Sequence, residues 1–454
     1  MLKEPEKENA GSQQERYFLS WVGRKNALRV KDSPPTGILE EDPEASIGPE
    51  NTKNVFIEGD NLEVLKILQT SLQNRVKMIY IDPPYNVNSG LQLYRDDFRE
   101  SWKNYQPKTA PNKKPSSVWE RQDLSGRNHS RWLSLMYPRL FLARNLLRED
   151  GVMFVSIDDT EVHNLRMVMN EIFGEENVET MIWRKVESNE GKLKMVKRFR
   201  MEHEYILVGY RNKDKCSFKK VSEFPHFRNP TENVDNDPRG DWVSGNMSST
   251  EELSVKGGKN FYSVISPGGR KFNRQWKFPK TEFDRLNQDH RIYWGKTGNN
   301  VPRLKVFSKE PRIVYVSSVV EYKGTAKSAA AELARLVGSD IFTNPKPVGL
   351  VQYLIDAAQT QNGIILDFFA GSGTTAEAVL AQNALDGGNR SFILVQLPEE
   401  IRSGDKPLKY RNISEITRAR TAAVIQNMKR SRLKDSRLDL GMKVFKLQMP
   451  ETTE

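Results

Sequence analysis

An acid, two prolines and a tyrosine stand together at Asp82-Pro83-Pro84-Tyr85. The Asp carboxylate is a pure acceptor when ionised. The prolines fix φ and carry no N–H, so their carbonyls can face a ligand without a competing backbone donor. The Tyr ring offers a flat face for stacking. The set suits a planar heterocycle bearing an exocyclic amino group, which would donate to the acceptors and stack on the ring. The plainer reading is a strand end entering a Pro-Pro turn, with Asp as a cap.

A second candidate lies far downstream. Asp367-Phe368-Phe369 runs into Ala370-Gly371-Ser372-Gly373-Thr374-Thr375 and then into the helical run Ala376 to Ala381. Strand, glycine turn and helix make the βα unit that binds dinucleotides. Only Gly371-Ser372-Gly373 of a full G-x-G-x-x-G is present, and a tight turn with no ligand reads the same way. No Lys follows the glycines, so a phosphate-gripping loop is not expected. The turn fits a cofactor whose backbone-contacting part is not a phosphate.

The elements that must hold these loops are apolar runs. Val76 to Ile81 reads as a buried strand ending at Asp82, and Gly363 to Phe369 as another. Asp60 reads as a helix N-cap, with Leu62, Val64, Leu65 and Leu68 on one helical face. Helices are expected over Trp132 to Leu147 and Glu161 to Phe173, and strands over Val152 to Ile157 and Tyr205 to Val208. Such alternation predicts an α/β fold with a doubly wound, mainly parallel, Rossmann-like sheet. Ligands bind outside the C-terminal strand ends of such a sheet, so both loops could share one crevice.

Composition narrows the partners. A chain of 454 residues can hold two or three domains, and its formal charge of +11 favours a polyanion. The single cysteine, Cys216, excludes an internal disulfide and fits a reducing, cytoplasmic compartment. No apolar run reaches membrane-spanning length, and the charged start has no signal core, so no membrane partner is expected. The five histidines show no metal-ligand spacing, so no metal is expected.

Together the two motifs resemble the S-adenosylmethionine-dependent amino-methyltransferases of DNA, in which D-P-P-Y holds the target amino group and F-x-G-x-G binds the methyl donor. Here the catalytic motif comes first, the order of the β class. Trp21 to Lys25, Glu58 to Leu62, Ile157 to Asp159, Glu204 to Val208, Ile292 to Lys296 and Val395 to Glu399 are similar to the modification subunits of type III restriction–modification systems. Those subunits usually continue beyond the stretch resembling Lys443 to Leu447, whereas this sequence stops at Glu454.

The resemblance implies methylation of adenine N6 in double-stranded DNA, within a restriction–modification or orphan modification system. Asp rather than Ser at the first motif position favours adenine. Methylation of cytosine N4, and an idle DNA-binding subunit, are the alternatives. A second copy of the chain and a restriction subunit are further candidate partners. Asp82, Pro83, Pro84 and Tyr85 would be catalytic. Asp367, Phe369, Ala370, Gly371, Ser372, Gly373 and Thr374 would line the cofactor, and a Cβ at Gly371 or Gly373 should obstruct it. Asn344, Lys346 and Pro347 would meet its methionine end, although prolines starting a helix explain that segment too. Asp60 and Asn61 would lie near its adenine, with a plain N-cap as the other reading of Asp60. Gln396 stands where dinucleotide folds place an acid on the ribose, with Glu399 and Glu400 as substitutes.

Four regions are expected. Residues 1–50 form a tail and arm with little periodicity, pinned at Trp21 and Val22. Residues 51–214 are the catalytic half, including a long loop from Asn86 to His129. Residues 215–330 mix Trp242, Phe261, Tyr262, Trp276, Phe278, Tyr293 and Trp294 with Arg239, Lys259, Arg270, Lys271, Arg274 and Lys280. That mixture fits contact with bases and phosphates, or an aromatic core of its own. By resemblance it is an inserted target-recognition domain. Residues 331–454 are the cofactor half with a basic C-terminal helix.

Overall fold

The strand residues point alternately to two apolar clusters, and this alternation builds the fold. Ile79 and Ile81 join one cluster with Leu65, Trp132, Leu165 and Val168. Met78 and Tyr80 join the other with Leu350, Leu354, Val379 and Ile425. A strand buried on both faces needs helices on both sides, which is why these runs are continuously apolar.

The computed structural model describes residues 18–86, 118–185, 199, 201–225, 232–321, 323–339, 341–401, 409–431 and 437–450, with backbone alone for 118–125. Two compact units result, residues 1–219 with 317–454, and residues 220–316. The first carries α1 (Arg24–Asp32), β1 (Ile38–Glu41), β2 (Val55–Glu58), α2 (Asn61–Leu72), β3 (Val76–Ile81), α3 (Val118–Leu146), β4 (Leu147–Ile157), α4 (Val162–Phe173), β5 (Val178–Arg184) and β6 (His203–Tyr210). The second carries β7 (Lys220–Glu223), β8 (Trp242–Asn246), β9 (Phe261–Ile265), β10 (Lys271–Gln275), α5 (Lys280–Gln288), β11 (Ile292–Tyr293), β12 (Arg303–Phe307) and β13 (Arg312–Tyr315). The chain returns to the first with β14 (Val319–Val320), α6 (Ala326–Val337), α7 (Val348–Ala357), β15 (Asn362–Asp367), α8 (Thr374–Asp386), β16 (Asn389–Gln396), α9 (Ile413–Arg430) and β17 (Lys443–Gln448).

The first unit holds one sheet in the order β1-β17-β2-β16-β15-β3-β4-β6-β5-β14. From β17 to β4 every neighbouring pair is parallel, and β6 runs antiparallel to both β4 and β5. β15 and β3 are direct neighbours, with Leu366 opposite Ile79. Their C-terminal loops therefore leave the same sheet edge, which brings residues 82 and 367 to one crevice.

Three expectations change. The arm is structured: α1 buries Ala27 and Val30, and β1 pairs antiparallel with β17. Its short, charged elements carry too few apolar residues to show a period. The segment Asn86 to His129 is helical from Val118 onward, because α3 extends well before Trp132; residues 87–117 lie outside the described residues. β4 begins at Leu147 rather than Val152, running through polar residues that Lys77 ties down by an ion pair to Asp150 at 2.8 Å.

The second unit has three small antiparallel sheets and α5 around its own core of Met247, Val264, Phe272, Trp276, Phe283, Leu286, Ile292 and Trp294. Trp242, Trp276 and Trp294 are buried, so for these three the aromatic-core reading holds. Among the described residues no helix is long and apolar enough to cross a membrane.

Buried Asn54 pins the sheet's far side. Its amide donates to the carbonyls of Asp439 and Gly441 at 3.2 and 3.1 Å and accepts from the Phe392 N–H at 3.1 Å. Asn54→Ala leaves three buried backbone groups unpaired, and we expect a loss of about 3 kcal/mol in urea unfolding. A loss below about 0.5 kcal/mol would remove this assignment.

Candidate active site

β3 ends at Ile81, and the chain turns through Asp82 to Tyr85 under the edge of the sheet. The Pro84 carbonyl accepts from the buried Trp132 indole at 2.6 Å, which fixes the turn against α3. Asn86, at a φ of 62°, donates to the fully buried Glu161 at 2.6 Å. The turn is thus held from both ends, leaving Asp82 and Tyr85 half-buried at the crevice.

Lys346 joins this turn from a distance of 264 positions. Its ammonium donates to Asp82 Oδ1 and to Tyr85 Oη, each at 2.7 Å, and lies 4.7 Å from the Tyr85 ring centre. Glu204 Oε2 is 3.5 Å from the same ammonium and accepts from the Tyr85 hydroxyl at 3.3 Å. Lys185 completes the cluster at 2.9 Å from Glu204. Burial would push the Glu204 carboxyl up, yet Lys346 and Lys185 outweigh it and hold it below the ordinary range. Burial would lower the Lys346 ammonium, yet Asp82 and Glu204 raise it. Burial, then the charges of Asp82 and Glu204, push the Tyr85 phenol well above its ordinary value, so it stays protonated.

The second loop starts from Asp367, whose carboxylate accepts from the Phe369 N–H at 3.0 Å and the Thr375 hydroxyl at 2.5 Å. Burial, with help from the Asp82 charge, pushes its carboxyl up to about 7. Gly371 and Gly373 take φ values of 53° and 84°, which favour glycine. A Cβ at Gly373 would meet the Thr417 carbonyl at 3.1 Å, and one at Gly371 would meet Phe342 at 3.3 Å. At Gly373 the loop therefore also packs closely on α9. Arg420, fully buried on α9, donates to Ser372 Oγ at 2.9 Å, Thr374 Oγ1 at 2.8 Å and Glu377 at 2.8 Å. Phe369 and Ala370 are buried in the loop's base.

The remaining expected residues divide. Asp60 caps α2 with one oxygen, accepting from the N–H groups of Leu62 and Glu63, and takes Arg139 at 3.2 Å with the other. Asn61 turns inward, donating to the Phe368 carbonyl at 2.7 Å and accepting from Arg139 at 2.6 Å. Gln396 also turns inward: its oxygen accepts from the Gly371 N–H at 2.8 Å and its nitrogen donates to the Leu397 carbonyl at 3.1 Å. Both amides thus help to position the loop. Asn344 is exposed at a φ of 54°, and Pro347 caps α7. Lys346 lies between the two loops, since its carbonyl accepts from Thr374 Oγ1 at 3.2 Å while its ammonium sits on Asp82. It therefore contacts both loops.

The loop suits S-adenosylmethionine, and no Lys follows its glycines as in a phosphate-gripping loop. α8 begins at Gly373 with no side-chain cap, so its first N–H groups suit a carboxylate. Arg420 lies buried behind the loop and is bonded to it. Glu204, Lys185, Arg139, Arg420 and Trp132 escaped the sequence reading, since a single charge or Trp within a helix or strand carries no local signal.

Asp367 yields a pH test. The unfolded carboxyl loses its proton near 3.8 and the folded one near 7, so the native state holds the proton more tightly. Stability should fall as pH rises across that window and level off above it. The difference between the parent and Asp367→Asn should change by about 1.4 kcal/mol per pH unit between about pH 4 and 7 in urea titrations. A constant difference would show that Asp367 ionises normally.

The DNA methylase family model matches residues 76–402, a span that holds both loops and β3, β4, β15 and β16. The StyLTI Mod subunit, of a type III restriction-modification enzyme from Salmonella typhimurium, is 33% identical over 446 residues, covering 96% of this chain and 66% of that subunit. A type III Mod subunit from Escherichia coli is 31% identical over 480 residues, covering 96% and 72%. The type II methyltransferase M.KpnI of Klebsiella pneumoniae is 29% identical over 404 residues, covering 83% and 89%. The chain spans about two thirds of the length of the Salmonella subunit. Because one match runs through the Asp82 turn, the Gly371 loop and the adjacent strands that carry them, this chain belongs to the DNA methylase family.

Proposed function

We propose that the chain methylates the N6 amino group of an adenine extruded from double-stranded DNA, as the modification enzyme of a restriction–modification or orphan system. The carrying observation is the pairing of Asp82 and Tyr85 at the end of β3 with the Gly371 loop at the end of the adjacent β15. Asp at the first motif position follows the family's adenine pattern, and the Mod subunits above support the modification role. A second copy of the chain and a restriction subunit are the protein partners this reading adds. The unit 220–316 would select the DNA sequence.

When bound, S-adenosylmethionine supplies an electrophilic methyl group. Asp60, the backbone of residues 369–373 and the uncapped start of α8 would hold it. The exocyclic nitrogen of adenine is a weak nucleophile because its lone pair is delocalised into the ring. Asp82 accepts one of its hydrogens and the Pro83 carbonyl the other, which favours a pyramidal nitrogen. The Tyr85 ring stacks on the base, whose extrusion is required for chemistry. Lys346 first fills the acceptor of Asp82. Glu204 offers that ammonium a second carboxylate, so the amino group can take its place without leaving a buried cation unpaired.

Asp82→Ala should cut methyl transfer by about a hundredfold or more while cofactor and DNA binding stay within a few fold. Labelled-methyl incorporation and calorimetry read both; transfer within tenfold of the parent would sink the role. Tyr85→Phe should keep most activity and Tyr85→Ala should lose it. Equal damage from both would assign the work to the hydroxyl rather than the ring.

A further inference from the structure

The second unit contains a cleft that its own core does not fill. It measures about 650 Å³ and lies against β8, β11 and β12. Tyr293 forms one wall, its ring centre 5.0 Å from the buried Trp242. Glu232, Ser244, Asn300 and Arg303 supply the polar lining. Several other cations of the unit are matched by acids. Lys305 pairs with Asp235 and Asp237, Arg239 with Asp237, and Arg291 with Glu310. Among the described residues, Arg303 makes one hydrogen bond, from Nε to Ser244 Oγ at 3.0 Å. That bond uses Nε and leaves the two terminal nitrogens for a ligand.

We propose that this cleft holds one extruded guanine of the bound DNA. The inference rests on the reading that the unit 220–316 selects sequence. A guanidinium with two parallel donors matches the O6 and N7 acceptors of guanine. Adenine offers a donor beside N7, and pyrimidines have no such acceptor pair. A carboxylate accepts from N1–H and the N2 amino group, which lie on the opposite, Watson–Crick edge. Contact with that edge requires an unpaired base, and Tyr293 provides a face on which an extruded base can stack. Arg303, Glu232 and Tyr293 together select guanine by both edges and by its plane.

The test uses the full chain and a duplex bearing its methylated motif, first found by single-molecule sequencing. Each guanine in turn is replaced by inosine, which lacks the N2 amino group, or by 7-deazaguanine, which lacks N7. At one position both replacements should weaken binding by the parent about tenfold. Inosine should cost Glu232→Ala nothing there, and 7-deazaguanine should cost Arg303→Ala or Arg303→Lys nothing. A 2-aminopurine beside that guanine should brighten with the parent and stay dim with Tyr293→Ala. Losses spread evenly over all positions would overturn the proposal, as would binding of guanosine monophosphate in the cleft without any coupling on DNA. Thermal melting close to the parent's confirms that the variants fold. A chimera with a relative's unit 220–316 separates the failures. If it adopts the relative's motif while the couplings are absent, the cleft assignment alone fails. If it keeps the parent's motif, the sequence-selecting role of the unit fails.

Discussion

The ammonium of Lys346 ties the two halves of the site together. It bridges Asp82 and Tyr85 on one loop, and the carbonyl of the same residue accepts from Thr374 on the other. One residue therefore contacts both loops, and a substitution of Lys346 acts on both. Glu204 and Lys185 extend the pair into a four-charge cluster with two charges of each sign. Such a cluster gives the ammonium two carboxylates to choose between, which is what a site needs if its acceptor must be vacated for a substrate.

Behind the cofactor loop two buried arginines do the positioning. Arg420 bonds Ser372, Thr374 and Glu377 from α9. Arg139 bonds Asp60 and Asn61 from α3, and Asn61 passes the constraint to the Phe368 carbonyl. Gln396 adds a bond to the Gly371 N–H. A loop with two residues in the left-handed region would otherwise be free to move; here side chains from α2, β16 and α9 fix it. This pre-organisation leaves the uncapped start of α8 open at its rim.

Several cations of the unit 220–316, among them Arg239, Arg291 and Lys305, are matched by acids within the unit. Arg239 lies over the Phe307 ring at 4.7 Å as well as on Asp237. The aromatics pack on each other, as in the Trp276 and Phe283 pair at 5.0 Å. Tyr293 and Arg303 stand apart from that packing as lining residues of the unit's cleft.

The two loops, the strands feeding them and the α/β class were readable because each is a run of consecutive residues. Val76 to Ile81 announces a buried strand, and Asp82 to Tyr85 and Phe369 to Gly373 announce its chemistry, without reference to anything distant. The arm's α1 and β1 were not readable, because short charged elements are stabilised by what they dock on, here α3 and β17. The directions of the side chains also depended on tertiary structure. Asn61 and Gln396 could have faced a ligand or the protein, and only the position of the Phe368 carbonyl and the Gly371 N–H turned them inward. Lys346 and Glu204 reach Tyr85 across 261 and 119 positions. Those meetings follow from strand order, which places β15 beside β3 and β6 beside β4. A local sequence pattern specifies which residues can form a strand; which strand lies next to it is decided by how the whole sheet buries its two faces.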